Sequence, residues 1–122
     1  MIWLAVALGG AFGSAARHGV NVFFSQVLGR PGPYATATVN ILGSLVIGLL
    51  AGLIAHGRLH ETPAMRAFVF VGILGGFTTF SSFMLDSFTL AEGGHVAPAF
   101  ANVAGQVIIG YAAAYIGFRI TA

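Results

Sequence analysis

Four long apolar segments, separated by short stretches of glycine, proline and charged residues, make up most of this 122-residue chain. Hydrophobic residues account for 57% of the sequence and charged residues for 7%, whereas about 25% charged is usual for a soluble domain. The excess apolar surface must therefore face lipid. Because a membrane helix needs about 20 residues, the chain has room for four spans and short loops, and for no separate soluble domain.

We predict an all-α integral membrane protein, a single transmembrane domain over residues 1–122. Its spans are expected at about 3–24, 34–55, 64–90 and 96–120. The first segment lacks a basic leader and is too long for a signal peptide, so we expect it to be retained. Five arginines without a lysine leave a net charge of +2, which is too little for a nucleic-acid surface. Without paired carboxylates, a nucleophile–histidine–acid set or a phosphate-binding loop, we expect no enzyme.

The third apolar segment is interrupted at residues 75–83, which read Gly-Gly-Phe-Thr-Thr-Phe-Ser-Ser-Phe. Two glycines followed by two threonines predict a local break in the helix. A break at membrane depth leaves backbone groups that only protein, an ion or a watery cavity can satisfy. Broken membrane helices therefore tend to mark ion or substrate sites. A glycine-rich packing contact is the alternative, and the break alone does not decide between them.

Polar residues inside the apolar segments are further candidates. Asn40 lies one turn after Thr36 in the second segment, and its amide can bond to a neighbouring helix or offer its hydrogens to an anion. Asp86 is a carboxylate within a span, which favours a functional role, although it is near enough to the span's end to reach water. Arg17 can reach the headgroups or attract anions at a pore mouth.

Aromatic and small residues recur at helical spacing. Phe77, Phe80 and Phe83 would line one side of a continuous helix, either as packing or as ring edges whose positive potential faces an anion. Asn102 and Gln106 are one turn apart in the fourth segment. Stripes of small residues in the first two segments predict close helix contacts, including contacts between two copies of the chain. Their members are Gly9, Gly13, Ser44, Gly48 and Gly52.

Three motifs together resemble the Fluc (CrcB) family of fluoride channels, over essentially the whole chain. The motifs are Gly9-Gly10 with Gly13 and Arg17, the run Asn40-Ile41-Leu42-Gly43, and residues 75–83. The resemblance implies a passive, fluoride-selective channel that exports fluoride across the plasma membrane, which is the inner membrane of a bacterium. It also implies a multi-pass protein surrounded by lipid, forming an antiparallel, dual-topology homodimer with two pores.

The resemblance implies roles for individual residues as well. The fluoride pathway would be lined by Phe80, Phe83, Asn40, Ser81, Thr36 and Gln106. Backbone carbonyls of Gly75 and Thr78 from both subunits would hold a structural sodium ion at the dimer centre. Arg17 and Asp86 would lie at the aqueous vestibule. The fourth segment departs from the family's pattern, because Gly110 stands where a hydroxyl residue is often found, and Ala114 does the same one turn later.

The physical chemistry suits a small anion. Fluoride is strongly hydrated, so amide and hydroxyl donors must replace its water, and binding must stay weak enough for release. A small dual-topology multidrug or cation exporter is the alternative function, but that class relies on an acid in its first helix, and the first segment here has none. A non-transporting assembly subunit would not need a broken helix.

The charge distribution bears on orientation. If four spans cross the membrane, three arginines lie on one side and two on the other, namely Arg58, Arg66 and Arg119 against Arg17 and Arg30. Orientation follows the excess of lysine and arginine in short loops. Because the excess is so small, we expect the chain to insert both ways in similar numbers.

Overall fold

The computed structural model describes residues 1–30 and 32–122, and these residues form long helices joined by short loops. The helices are α1 (Ile2–Val22, continued by π-helical turns over Phe23–Val27), α2 (Pro33–Ala55), α3 (residues 63–77), α4 (Phe80–Glu92) and α5 (Val96–Ile120). Within α3, Arg66–Leu74 is wound as a π-helix, with hydrogen bonds from residue i to i+5. The described residues contain no strand, so the prediction of an all-α chain is confirmed.

Three segments are long and apolar enough to cross a membrane: Pro33–Ala55, Pro63–Glu92 and Val96–Ile120. They lie within a few residues of the segments that the sequence predicted. Helix α1 has 21 residues, but its second half carries Arg17, His18 and Asn21. Its assignment as a fourth span therefore stays a prediction.

Helix starts follow the local sequence. Pro33 begins α2 and Pro63 begins α3, where the missing N–H of proline costs nothing because the first turn has no acceptor for it. The Thr62 hydroxyl accepts a hydrogen bond from the Met65 backbone N–H at 3.1 Å. Thr79 does the same for α4, accepting from the Ser82 N–H at 3.2 Å. These side chains satisfy N–H groups that the helices cannot satisfy themselves.

Two helix pairs carry the packing: α1 lies against α3, and α2 lies against α5. A Cβ atom added at Gly13 would lie 2.9 Å from the Phe77 backbone nitrogen, and one at Gly117 would lie 2.8 Å from that of Leu49. Both helix pairs therefore depend on glycines that let two backbones touch. The predicted close contacts through small residues are confirmed.

The partners of these glycines differ from part of our expectation. Gly9 and Gly13 are buried against α3, and Gly48 and Gly52 are buried against α5 of the same chain. Since the contacts within one chain already occupy these surfaces, the interpretation that the stripes join two copies is wrong. Any contact between two copies would have to use another face.

The third apolar segment changes partners at its break. Its first half, α3, packs on α1, whereas its second half, α4, packs on α5 and α2. One straight helix could not follow both neighbours. The break therefore connects the two helix pairs, and the candidate site lies beside it.

Candidate functional site

The helix break lies at two threonines. Thr78 and Thr79 have extended backbones (φ −85°, ψ 160° and φ −153°, ψ 120°), whereas Gly75 is helical (φ −63°, ψ −35°). Gly76 serves packing instead, because a Cβ atom there would lie 2.8 Å from the Gly10 carbonyl oxygen. The predicted break is thus present, but the glycines before it are not what opens the helix.

Asn40 of α2 binds the extended backbone at the break. The Thr79 N–H donates to Asn40 Oδ1 at 2.8 Å, and Asn40 Nδ2 donates to the Thr79 carbonyl oxygen at 3.1 Å. In a continuous helix the Thr79 N–H would donate to the Gly75 carbonyl. The asparagine side chain therefore replaces the helical hydrogen bond between the Thr79 N–H and the Gly75 carbonyl. The Gly75 carbonyl is left without that donor.

A chain of side-chain hydrogen bonds continues from Asn40 into the other helices. Asn40 Nδ2 also donates to Gln106 Oε1, Gln106 Nε2 donates to Asn102 Oδ1, and Asn102 Nδ2 donates to Ser87 Oγ, each at 2.9 Å. The Ser87 hydroxyl in turn donates to the Phe83 carbonyl oxygen at 2.9 Å. Both amide hydrogens of Asn40 thus have protein acceptors, which is the helix-bonding alternative of the sequence analysis.

A cavity of about 340 Å³ lies beside the break and opens to the outside of the chain. Its walls include Asn40, Gly75, Thr78, Phe80 and Phe83. The Phe80 and Phe83 rings meet edge to face, with centroids 5.9 Å apart and planes at 81°. Phe80 is 73% exposed, whereas Phe83 is 5% exposed. The cavity therefore has an aromatic wall with one ring anchored and the other free.

The expected three-phenylalanine stripe does not exist as one helix face. Phe77 ends α3 and Phe80 begins α4, with the two extended threonines between them. All three rings would share one face only on a continuous helix, and the helical periodicity stops at the break.

A second, smaller cavity of about 170 Å³ brings together the two residues proposed for a vestibule. Arg17 of α1 and Asp86 of α4 line it, along with Thr36 of α2. Asp86 Oδ2 is buried without a hydrogen-bond partner among the described residues. Thr79 lines both cavities, so the break separates them by one residue.

The remaining candidates lie around this centre. Ser81 is in the first turn of α4, and its hydroxyl oxygen is 3.5 Å from that of Thr79. Gly110 and Ala114 lie where α5 packs on α2, and a Cβ atom at Gly110 would be 3.5 Å from Ser44 Oγ. The structure gives no reason for the lack of hydroxyl groups at these two positions.

Sequence reasoning missed Thr79 and Ser87. The backbone N–H and carbonyl of Thr79 bind the Asn40 side chain, and its hydroxyl caps α4. Thr79 also lines both cavities. A threonine directly before a predicted helix is a common cap, which was an available signal. Ser87 lies one turn after Phe83, but its bond to Asn102 comes from another helix, and helical spacing gives no indication of it.

The two residues proposed to hold a sodium ion, Gly75 and Thr78, are suited to coordinating a cation through their backbone carbonyls. Gly75 and Thr78 both line the open cavity, and the Gly75 carbonyl lacks the donor that a continuous helix would provide. The Thr78 hydroxyl donates to the Leu74 carbonyl at 2.9 Å, so it does not turn toward the Gly75 oxygen. Neutral backbone carbonyls can replace the hydration shell of a monovalent cation.

Comparison with known proteins gives one consistent answer. Residues 4–118 match the family described as CrcB-like protein, Camphor Resistance (CrcB). The protein named fluoride-specific ion channel FluC of Paracoccus denitrificans is 49% identical over 97% of this chain and 92% of its own length. FluC 1 of Nitrobacter hamburgensis is 49% identical (96% and 92%), and FluC of Rhodospirillum centenum is 45% identical (96% and 92%). The similarity runs nearly from end to end in each case.

Proposed function

Since the chain belongs to the CrcB-like family, we propose that it is a passive, fluoride-selective channel that exports fluoride. It is a multi-pass protein of the bacterial plasma membrane, and its family comprises ion channels rather than enzymes. The observation that carries the proposal is the near full-length identity to proteins named fluoride-specific ion channels. The broken helix with its aromatic and polar cavity is the feature that such a function needs.

The fluoride path runs between the two cavities and past Thr79, which lines both. Phe80 and Phe83 offer ring edges in the larger cavity, and Thr36 offers a hydroxyl in the smaller one. Asn40 lines the larger cavity, and Ser81 and Gln106 complete the proposed pathway from positions beside Thr79 and Asn40. Ring edges attract an anion without a formal charge, so the ion can also leave.

Arg17 and Asp86 form the vestibule in this proposal, at the smaller cavity. The arginine attracts anions toward the path, since a positive charge at a pore mouth raises the local anion concentration. Asp86 limits that attraction, because a carboxylate on the same wall weakens the field of the arginine. An ion would otherwise be held at the mouth.

A second, oppositely oriented copy covers the larger cavity. Lipid cannot satisfy polar backbone, and this open cavity is lined by the exposed Gly75 and the half-buried Thr78, together with the 73% exposed Phe80. A two-fold axis in the membrane plane would close such a pair and give it two paths. The nearly balanced arginines favour insertion both ways. A C-terminal reporter accessible from only one side of the membrane would contradict this arrangement.

Sodium bridges the two copies in this arrangement. The carbonyls of Gly75 and Thr78 from each copy would meet near the axis, and a single cation would satisfy oxygens from both. A structure of the dimer in which the two breaks bond directly to each other, with no ion between them, would rule the bridge out.

Fluoride efflux from liposomes tests the function. Purified protein should release fluoride, read with an ion-selective electrode, without any proton gradient, and chloride efflux should be far slower. Dependence on a proton gradient would favour the exporter, although α1 holds no carboxylate to couple protons. Equal fluoride and chloride rates would refute the selectivity.

The same assay tests the ring edges. Phe80→Ile and Phe83→Ile keep apolar bulk and remove the quadrupole, so each should reduce efflux while the dimer still elutes intact. Phe80 is the sharper test, because a side chain 73% exposed has little packing to lose within the chain. If both variants retain the full rate, the rings serve packing alone.

A further inference from the structure

We propose that Ser87 and Asn102 are positioning residues of the fluoride path. Resting on the function proposed above, the inference is that their hydrogen bond holds Phe83 of α4 and Gln106 of α5 at a fixed separation. Neither Ser87 nor Asn102 needs to touch the ion. We call the pair the brace.

The brace joins two helices that carry different parts of the path. Asn102 Nδ2 donates to Ser87 Oγ at 2.9 Å, and it is the side-chain hydrogen bond between α4 and α5 in the part of the chain that the structure describes. The Ser87 hydroxyl donates to the Phe83 carbonyl, so it holds the turn that carries the buried ring. Asn102 accepts from Gln106, one turn along α5.

The direction of every bond in this chain follows from one backbone group. The Thr79 N–H can only donate, so Asn40 must present Oδ1 to it and Nδ2 to Gln106. Gln106 must then accept this hydrogen bond with Oε1, and its Nε2 donates to Asn102. The Ser87 hydroxyl accepts from Asn102 and donates its own hydrogen to the Phe83 carbonyl oxygen.

This fixed direction leaves a surplus donor. Each amide nitrogen carries two hydrogens. Asn40 Nδ2 uses both, whereas Gln106 Nε2 donates once within the described residues. Gln106 is 7% exposed, so bulk water does not hydrate the second N–H, and a buried donor without an acceptor is costly. Gln106 lines neither cavity, but its bond to Asn40 places it directly behind the wall of the larger one. In this proposal an anion at that wall accepts from the second N–H while the brace holds the amide in place.

Removing the Ser87 hydroxyl should loosen the positions of both Phe83 and Gln106. Ser87→Ala should lower fluoride efflux about tenfold, the scale of one buried hydrogen bond. It should also lower the ratio of fluoride to chloride efflux. Once the Gln106 N–H and the Phe83 ring edge are no longer held at a fixed separation, the path discriminates less between the two anions. Ser87→Thr retains the hydroxyl and should restore both quantities.

Matched variants separate positioning from stability. Asn102→Leu should reproduce the losses, and Ser87→Ala/Asn102→Leu should lose less than the sum of the two single losses, since both single variants remove the same Ser87–Asn102 hydrogen bond. Thr121→Val is the control: it removes the hydrogen bond from Thr121, the residue that follows α5, to the Leu49 carbonyl of α2 (3.0 Å), away from both cavities. It should leave the efflux ratio unchanged.

The outcomes are distinguishable. A wild-type chain that releases no fluoride overturns the proposed function itself. Wild-type efflux with unchanged rate and ratio in Ser87→Ala and Asn102→Leu overturns the brace alone. An equal fall of the ratio in Thr121→Val also overturns it, because general loosening of the helices would then explain the effect.

Discussion

Asn40→Leu is expected to abolish fluoride efflux and to destabilise the protein. Leucine has a similar size but leaves three groups without their partner: the Thr79 N–H, the Thr79 carbonyl and Gln106 Oε1. A buried unsatisfied polar group costs about 1–3 kcal/mol, so a loss of about 3 kcal/mol or more is expected. Efflux from liposomes and thermal unfolding monitored by size-exclusion chromatography measure the two effects.

Thr38→Val is the matched control for this variant. Thr38 is on the same helix and is also polar, but its hydroxyl donates to the Tyr34 carbonyl within its own turn. Removing that bond leaves no group on another helix unpaired, so both efflux and unfolding temperature should stay near wild type. Wild-type behaviour of Asn40→Leu itself would mean that the break does not depend on the asparagine.

Gly13→Ala is expected to have the second large effect, on assembly of the chain. The added Cβ atom would lie 2.9 Å from both the Phe77 nitrogen and the Ile73 carbonyl carbon. These are backbone atoms, which cannot rotate aside as a side chain can, so α1 must move away from α3. We expect a loss of more than about 3 kcal/mol and a poor yield of monodisperse protein.

Gly19→Ala provides the comparison on the same helix. A Cβ atom at Gly19 meets no heavy atom within 4 Å, and alanine favours a helix over glycine. Its yield and unfolding temperature should therefore equal or exceed those of wild type. If Gly13→Ala behaves in the same way, α1 and α3 are farther apart than the structure has them.

Much of the fold could be predicted because lipid imposes a simple rule on the sequence. Long apolar runs must be helices, so the segments fell within a few residues of the observed ones. The break at residues 78–79 was also predictable from its composition. Its cause was not: Asn40 lies 39 residues from Thr79, and helical spacing indicates which face a residue is on but not which neighbour meets it.

The same limit explains the errors. The phenylalanine stripe was extended across Thr78 and Thr79 because residue spacing assumes an unbroken helix. The small-residue stripes were correctly assigned to close contacts, but nothing in their pattern distinguishes a neighbour in the same chain from one in another copy. Gly13 meets α3 and Gly48 meets α5, which only the three-dimensional arrangement determines.

The order of the helix pairs has a consequence for synthesis. Helix α1 packs mainly on α3, and α2 mainly on α5, so the two pairs interleave along the chain, and α1 has little contact with α2. A nascent chain that ends before Val96 therefore holds α2 in the bilayer without its main neighbour. Individual apolar helices are stable in the bilayer before they pack, since lipid solvates their apolar surfaces. Insertion must then precede assembly, and packing is completed only when the ribosome has released the last helix.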